Sequence, residues 1–118
     1  MITISVCMIV KDEEMVLERA LKSVERIADE IIIVDTGSTD RTKKIALKYT
    51  DKVYDFVWCD DFAKARNYSF SKATMDYCMW LDADDIISDS DQEGLINLKK
   101  TLSKDTSVVM MKYNAEFD

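Results

Sequence analysis

Apolar and β-branched residues run almost without a break from 2 to 10, the pattern of a strand buried on both faces of a parallel sheet. Lys11, Asp12, Glu13 and Glu14 end that run, and Val16, Leu17, Ala20, Leu21 and Val24 then recur at helical spacing. Asp12 suits the cap of this helix, with Glu13 and Glu14 at the positive end of its dipole. Residues 30–34 (EIIIV) form a second buried strand. Asp35, Thr36 and Gly37 make a turn, and Ser38 or Thr39 caps a helix carrying Ile45, Ala46 and Tyr49 on one side. A weaker third strand spans 53–57. Phe62, Ala65, Ser69 and Ala73 then mark a helix, and residues 77–81 (YCMWL) a fourth strand. Leu95, Leu98 and Leu102 mark another helix, and residues 107–111 a fifth strand.

Strands alternating with helices predict an α/β fold, a mainly parallel sheet with right-handed crossovers and helices on both faces. Ligands of such sheets bind beyond the carboxyl ends of the strands, where the strand order reverses. The loops after strands one, two and four begin at Lys11, Asp35 and Asp82, so charged groups gather at that edge. No repeat, low-complexity tract or proline interrupts the pattern, and residues 1–118 read as one domain.

Composition narrows the function. The 118 residues are 47% hydrophobic and 33% charged, with a net charge of −7, the balance of a globular domain with no basic nucleic-acid footprint. No apolar run approaches the roughly 20 residues that span a bilayer, and the opening ITISVCMIV lacks the features of a signal peptide. Cys7, Cys59 and Cys78 are odd in number and lack CxxC spacing, a poor disulfide framework and a poor zinc site. Cys7 and Cys78 lie in apolar runs and read as packing residues. The chain has no histidine, which excludes Ser-His-Asp and Cys-His catalysis by its own residues. A reducing, cytoplasmic setting is expected, at most peripheral to the inner face of a membrane.

The acidity is concentrated. Asp82, Asp84, Asp85, Asp89, Asp91 and Glu93 fall in one window without a basic residue, so a near-neutral remainder carries one negative site. Taken alone, such a run also suits a solvated loop. Asp82 and Asp84 leave a strand two residues apart, so they project to the same side. A hard divalent cation takes one or two such carboxylates and completes its shell with water and phosphate oxygens. An EF-hand fails, because a loop started at Asp82 puts Ile86 at a ligand position and Ile87 where glycine is needed. Asp35 ends the second strand, where its carboxylate could accept from a nucleobase N–H. An ordinary strand-to-helix turn recruits the same residues. Arg66, beside Lys64 and Asn67, offers a planar donor fork for phosphate or a base edge. Trp58, Phe62, Tyr68 and Trp80 read as core or pocket wall. Neither GxGxxG nor a Walker A pattern is present, which argues against dinucleotide cofactors and P-loop chemistry.

In order, SVCMIVKDEE, DEIIIVDTGSTDRT, FAKARNYSFSKA and YCMWLDADD resemble the donor-binding half of family 2 glycosyltransferases over roughly residues 1–90. The resemblance implies a GT-A fold, truncated here, and inverting, nucleotide-sugar-dependent transfer to an acceptor hydroxyl. It implies that Asp35 reads the nucleobase and that backbone around Val10, Lys11 and Glu13 lines the base pocket. Asp82 would lie near the ribose with Ala83 beside it, and Asp84 would ligate Mn²⁺ or Mg²⁺ at the diphosphate, with Asp82 or Asp85 as further ligands. Arg66 would sit near the nucleotide and stabilise the departing diphosphate. The donor would be of UDP or GDP type. The general base and acceptor site are expected beyond Asp118, which makes this an N-terminal portion of a longer enzyme. A non-catalytic nucleotide-binding module is the alternative. A Mg²⁺-binding receiver domain fits less well, because the strongest acidic site follows strand four and Trp58 and Cys59 follow strand three.

Overall fold

Four parallel strands, in the order β3-β2-β1-β4, form the sheet in the computed structural model, which describes residues 2–58, 60–84 and 86–101. In chain order the elements are β1 (Ile4–Val10), α1 (Leu17–Val24), β2 (Glu30–Asp35), α2 (Thr42–Leu47), β3 (Val53–Asp55), α3 (Phe62–Ser71), β4 (Tyr77–Trp80) and α4 (Asp89–Thr101). β1 pairs with β2 from Ser5↔Glu30 to Val10↔Asp35 and with β4 from Ile4↔Tyr77 to Cys7↔Trp80. The expected strand at 107–111, together with Leu102, Cys59 and Asp85, lies outside the described residues.

Period-two alternation divides the sheet into two buried faces. Ile4, Val6, Met8 and Val10 join Ile31, Ile33, Tyr77, Met79 and Leu81 in a core closed by Leu17, Leu21 and Val24 of α1, Ala46 of α2 and Leu95 of α4. The opposite face carries Ser5, Cys7 and Trp80 beneath α3, where the Cys7 thiol donates to the Ser69 carbonyl at 3.9 Å and Phe62 and Phe70 meet the Trp80 ring edge-on. Helices therefore cover both faces, as the pattern predicts. Cys7 is fully buried, and its hydrogen bond with Cys78, together with burial, pushes its thiol pKa up.

Four expectations are corrected, the first being the third strand, which spans Val53–Asp55 and not 53–57. Asp12 does not cap α1: a tight turn intervenes, in which the Glu13 carbonyl accepts from Val16 N and Leu17 N, and α1 starts without a side-chain cap. Neither Ser38 nor Thr39 caps α2, which begins later, with Asp40 Oδ1 accepting from Thr42 N at 2.9 Å. The acidic window is also not one patch. Asp89 and Asp91 occupy the first turn of α4, suited to its dipole, and Glu93 pairs with Arg26 at 2.7 Å. Only Asp82 and Asp84, of the described acids in that window, stay at the sheet edge.

Candidate functional site

From β1 the chain steps to β2 and β3 on one side, and β4 is added on the other. The order reverses between β1 and β4, which is where a parallel sheet opens a crevice beyond its strand ends. The described residues of the segments that rim this crevice are 11–16, 36–41, 56–58, 60–61, 81–84 and 86–88.

At the end of β2, Asp35 is 3% exposed. Its Oδ1 accepts from Gly37 N and Ser38 N, both at 2.8 Å, in a tight turn that Gly37 makes possible at φ +112°. Its Oδ2 is buried and has no hydrogen-bond partner among the described residues. A desolvated acceptor held in place by its twin oxygen is a ready receptor for one N–H or O–H donor.

Thr36, the next residue, and Val10, the partner of Asp35 on β1, border a cavity of about 270 Å³ whose other walls are Ile9, Lys11, Glu13, Trp58 and Phe62; Asp35 itself is not in the lining. Val10, Lys11 and Glu13 are thus brought together in one lining, although the Val10 carbonyl is occupied by Thr36 N and its hydroxyl, at 3.1 and 3.3 Å. Two larger hollows exist. One lies at the amino end of the sheet around Glu30, Thr50 and Lys52, and the other between α1 and α2 around Met15 and Ile45. The first opens at the opposite end of the sheet, and the second, although Glu14, Met15 and Arg41 of the rim border it, is walled otherwise by α1 and α2, so the hollow that Val10, Lys11 and Thr36 line is the one at the strand ends.

The loop after β4 continues the strand's alternation: Leu81 and Ala83 are buried while Asp82 and Asp84 are exposed. Asp82 Oδ1 accepts from the Trp80 indole N–H at 3.1 Å. Glu13 registers the convergence, because burial, followed by the charges of Asp84, Asp40, Asp12 and Asp82, pushes its carboxyl above the ordinary range. Among the described residues no group of three or more His, Cys, Asp or Glu side chains is arranged to hold a metal by itself. Arg66, on α3, lies 5.2 Å from the Phe62 ring centroid and 5.7 Å from that of Trp80, and it makes no ion pair among the described residues. Trp80 therefore links Arg66 to Asp82, and Phe62 links Arg66 to the cavity.

Sequence reasoning missed Thr36 as a wall and Trp80 as a platform for a cation. It also missed a lock between the first two loops. Asp12 Oδ1 accepts from Thr39 N and Asp40 N at 2.7 and 3.3 Å, and Ser38 Oγ accepts from Asp12 N at 2.9 Å. Thr42 Oγ1 accepts from Glu13 N at 2.7 Å, and Glu14 Oε1 from Arg41 N at 2.9 Å. The signal was the density of Asp, Ser and Thr after both strands, which sequence alone assigns to caps.

The family model for glycosyl transferase family 2 matches residues 5–117. This chain belongs to that family. A TPR repeat-containing protein of Synechococcus elongatus is 47% identical to this family 2 chain over 85 residues, 72% of this chain and 21% of that protein. An uncharacterized glycosyltransferase of Rickettsia typhi is 36% identical over 92 residues, 78% of this chain and 31% of the relative. Among solved structures, S. aureus TarS 1-349 matches with a TM-score of 0.69 and 25% identity over 81% of this chain and 31% of its own. Glucosyl-3-phosphoglycerate synthase of M. tuberculosis, in complex with Mn²⁺ and UDP-glucose, matches at 0.62 and 26% over 72% of this chain and 34% of its own. The fold is the GT-A fold of these glycosyltransferases. The chain spans a fifth to a third of the length of these relatives. Family membership also displaces the receiver alternative.

Proposed function

We propose that residues 1–118 form the donor-binding domain of an inverting, metal-dependent glycosyltransferase that transfers a sugar from a nucleoside-diphosphate donor to an acceptor hydroxyl. The observation that carries this reading is the buried, unpartnered Asp35 Oδ2 beside an aromatic-walled cavity. The imide N–H of a uracil or the ring N–H of a guanine supplies the donor that this oxygen lacks, while cytosine and adenine present acceptors at the equivalent ring position. Val10, Lys11 and Glu13 then line the base pocket, and Asp82, with Ala83 beside it, faces the ribose.

The carboxylates of Asp84 and Asp82 fit Mn²⁺ or Mg²⁺ as hard oxygen donors. They are too few to complete its shell, which leaves positions for diphosphate oxygens. Asp85 is a further acid of the same loop. Bound there, the ion supplies charge neutralisation for the departing diphosphate. Arg66, held against two rings, contributes the same electrostatic help through its N–H fork. Glu13, Asp82 and Asp84 repel one another, and a cation would relieve that repulsion. We assign the general base to no residue of this chain. A nucleotide-sugar partner, in place of nucleic acid, accords with the net negative charge.

Calorimetric titration with UDP and GDP, with and without Mn²⁺, tests the proposal. One nucleotide should bind only with the metal, and both Asp35→Ala and Asp84→Ala should weaken it about tenfold or more, the equivalent of one good contact. Binding that ignores Mn²⁺ and both substitutions would sink the assignment.

A further inference from the structure

We infer that Asp12 is a positioning residue for the donor site: by clamping the loop after β2 onto the loop after β1, it fixes the turn that aims Asp35 Oδ2. This inference rests on the proposed nucleotide binding at Asp35. It concerns a residue that is not among those lining the cavity.

Asp12 has a left-handed backbone, φ +51°, which costs a non-glycine residue free energy and needs to be held by its surroundings. Its surroundings hold it from both sides. Its own N–H is received by Ser38 Oγ, and its Oδ1 receives Thr39 N, Asp40 N and the Thr39 hydroxyl. The same two loops are cross-bonded again through Asp40 Oδ2 to Glu14 N at 3.3 Å, Thr42 Oγ1 to Glu13 N and Glu14 Oε1 to Arg41 N.

Ser38 is the shared residue. Its hydroxyl accepts from the Asp12 backbone N–H and its own N–H is one of the two that occupy Asp35 Oδ1, while the Asp12 carboxylate holds the next two residues, Thr39 and Asp40. Keeping Oδ1 occupied orients Oδ2 and leaves it as the unpartnered atom. Without the clamp, the 37–40 turn is free to shift and the Asp35 carboxylate to rotate, so an aimed acceptor becomes a mobile one. The entropy of fixing it would then be charged to ligand binding.

The experiment compares UDP, GDP and inorganic pyrophosphate, each with Mn²⁺, by calorimetry on the parent, Asp12→Ala, Asp12→Asn and Asp12→Gly. Pyrophosphate can occupy the acidic end without meeting Asp35. Asp12→Ala should weaken the preferred nucleotide about tenfold and leave pyrophosphate unchanged, while Asp12→Asn, which keeps an oxygen acceptor, should restore most of the affinity. Asp12→Gly adopts the left-handed backbone without strain, so it carries the same test if the alanine variant does not fold. Equal nucleotide affinity in parent and variants overturns the inference, and so does a parallel loss for nucleotide and pyrophosphate. Failure of the parent itself to bind either nucleotide overturns the donor-binding reading and this inference with it.

Discussion

A carboxylate oxygen taken out of water and given no donor costs about 1–3 kcal/mol, so Asp35 Oδ2, without a donor among the described residues, is a site at which folding stability has been given up. Asp35→Asn keeps an oxygen for Gly37 N and Ser38 N and removes the charge from the buried position. Without ligand, its melting temperature should equal or exceed the parent's, while nucleotide binding falls; scanning calorimetry checks the first and titration the second. Glu30 shows the opposite arrangement of the same chemistry. It is buried at the amino end of β2, where burial pushes its carboxyl up, but Lys52, Ser5 and the N–H and hydroxyl of Thr74 outweigh that and hold it down at about 2. A folded pKa below the unfolded value stabilises at pH above about 4.5, and that contribution is lost as pH falls from there towards 2. Glu30→Gln should therefore flatten the dependence of urea-unfolding stability on pH across that window, and an unchanged slope would refute the network.

At the scale of elements, α4 decides whether the β4 loop has a fixed base. Ser23 of α1 accepts from Ile87 N at 3.1 Å, and Gln92 Nε2 donates to the Ile87 carbonyl at 2.9 Å. At the other end of α4, buried Lys99 donates to the Ile27 carbonyl at 2.8 Å and to Asp29 Oδ2 at 2.7 Å. Lys99→Met keeps the packed stem but takes its donor from the Ile27 carbonyl and leaves Asp29 Oδ2 with Ile4 N alone, and should cost about 1–3 kcal/mol in chemical denaturation. Legibility in the sequence followed the same physics. β1 and β2 were plain because strands buried on both faces leave unbroken apolar runs. β3 was drawn too long: its pairing stops at Asp35↔Asp55, and Val57, apolar but 88% exposed, marks no strand. Asp35, Asp82 and Asp84 were legible as edge residues because charged residues at strand ends betray an edge, whereas Glu13 looked locally like a helix terminus and entered only through the family resemblance. The lock was not, because its partners lie 26 to 29 residues apart and look locally like capping residues. Adjacency also misled, since six neighbouring acids looked like one site until a helix carried half of them away.

For the molecule as a whole, the sheet edge joins a neutral, aromatic-walled hollow to an acidic loop, with Trp80 between them. Trp80 should then report on the acidic end. Adding Mn²⁺ with the bound nucleotide should change its fluorescence, and Asp84→Ala or Trp80→Phe should abolish the change; a signal that survives both would detach Asp84 from the cation. The order of strands reaches beyond the site itself. β1 precedes the other three strands along the chain yet stands in the middle of the sheet, and its second neighbour is some 73 residues away, as the Thr3–Asp76 bonds record. Until β4 has been synthesised, one whole side of the most apolar strand presents unanswered backbone groups, a template for another chain. A polypeptide halted before residue 77 should sediment as aggregates rather than as a smaller soluble domain. The feature that places the acids opposite Asp35 thus also makes the nascent protein depend on its own completion.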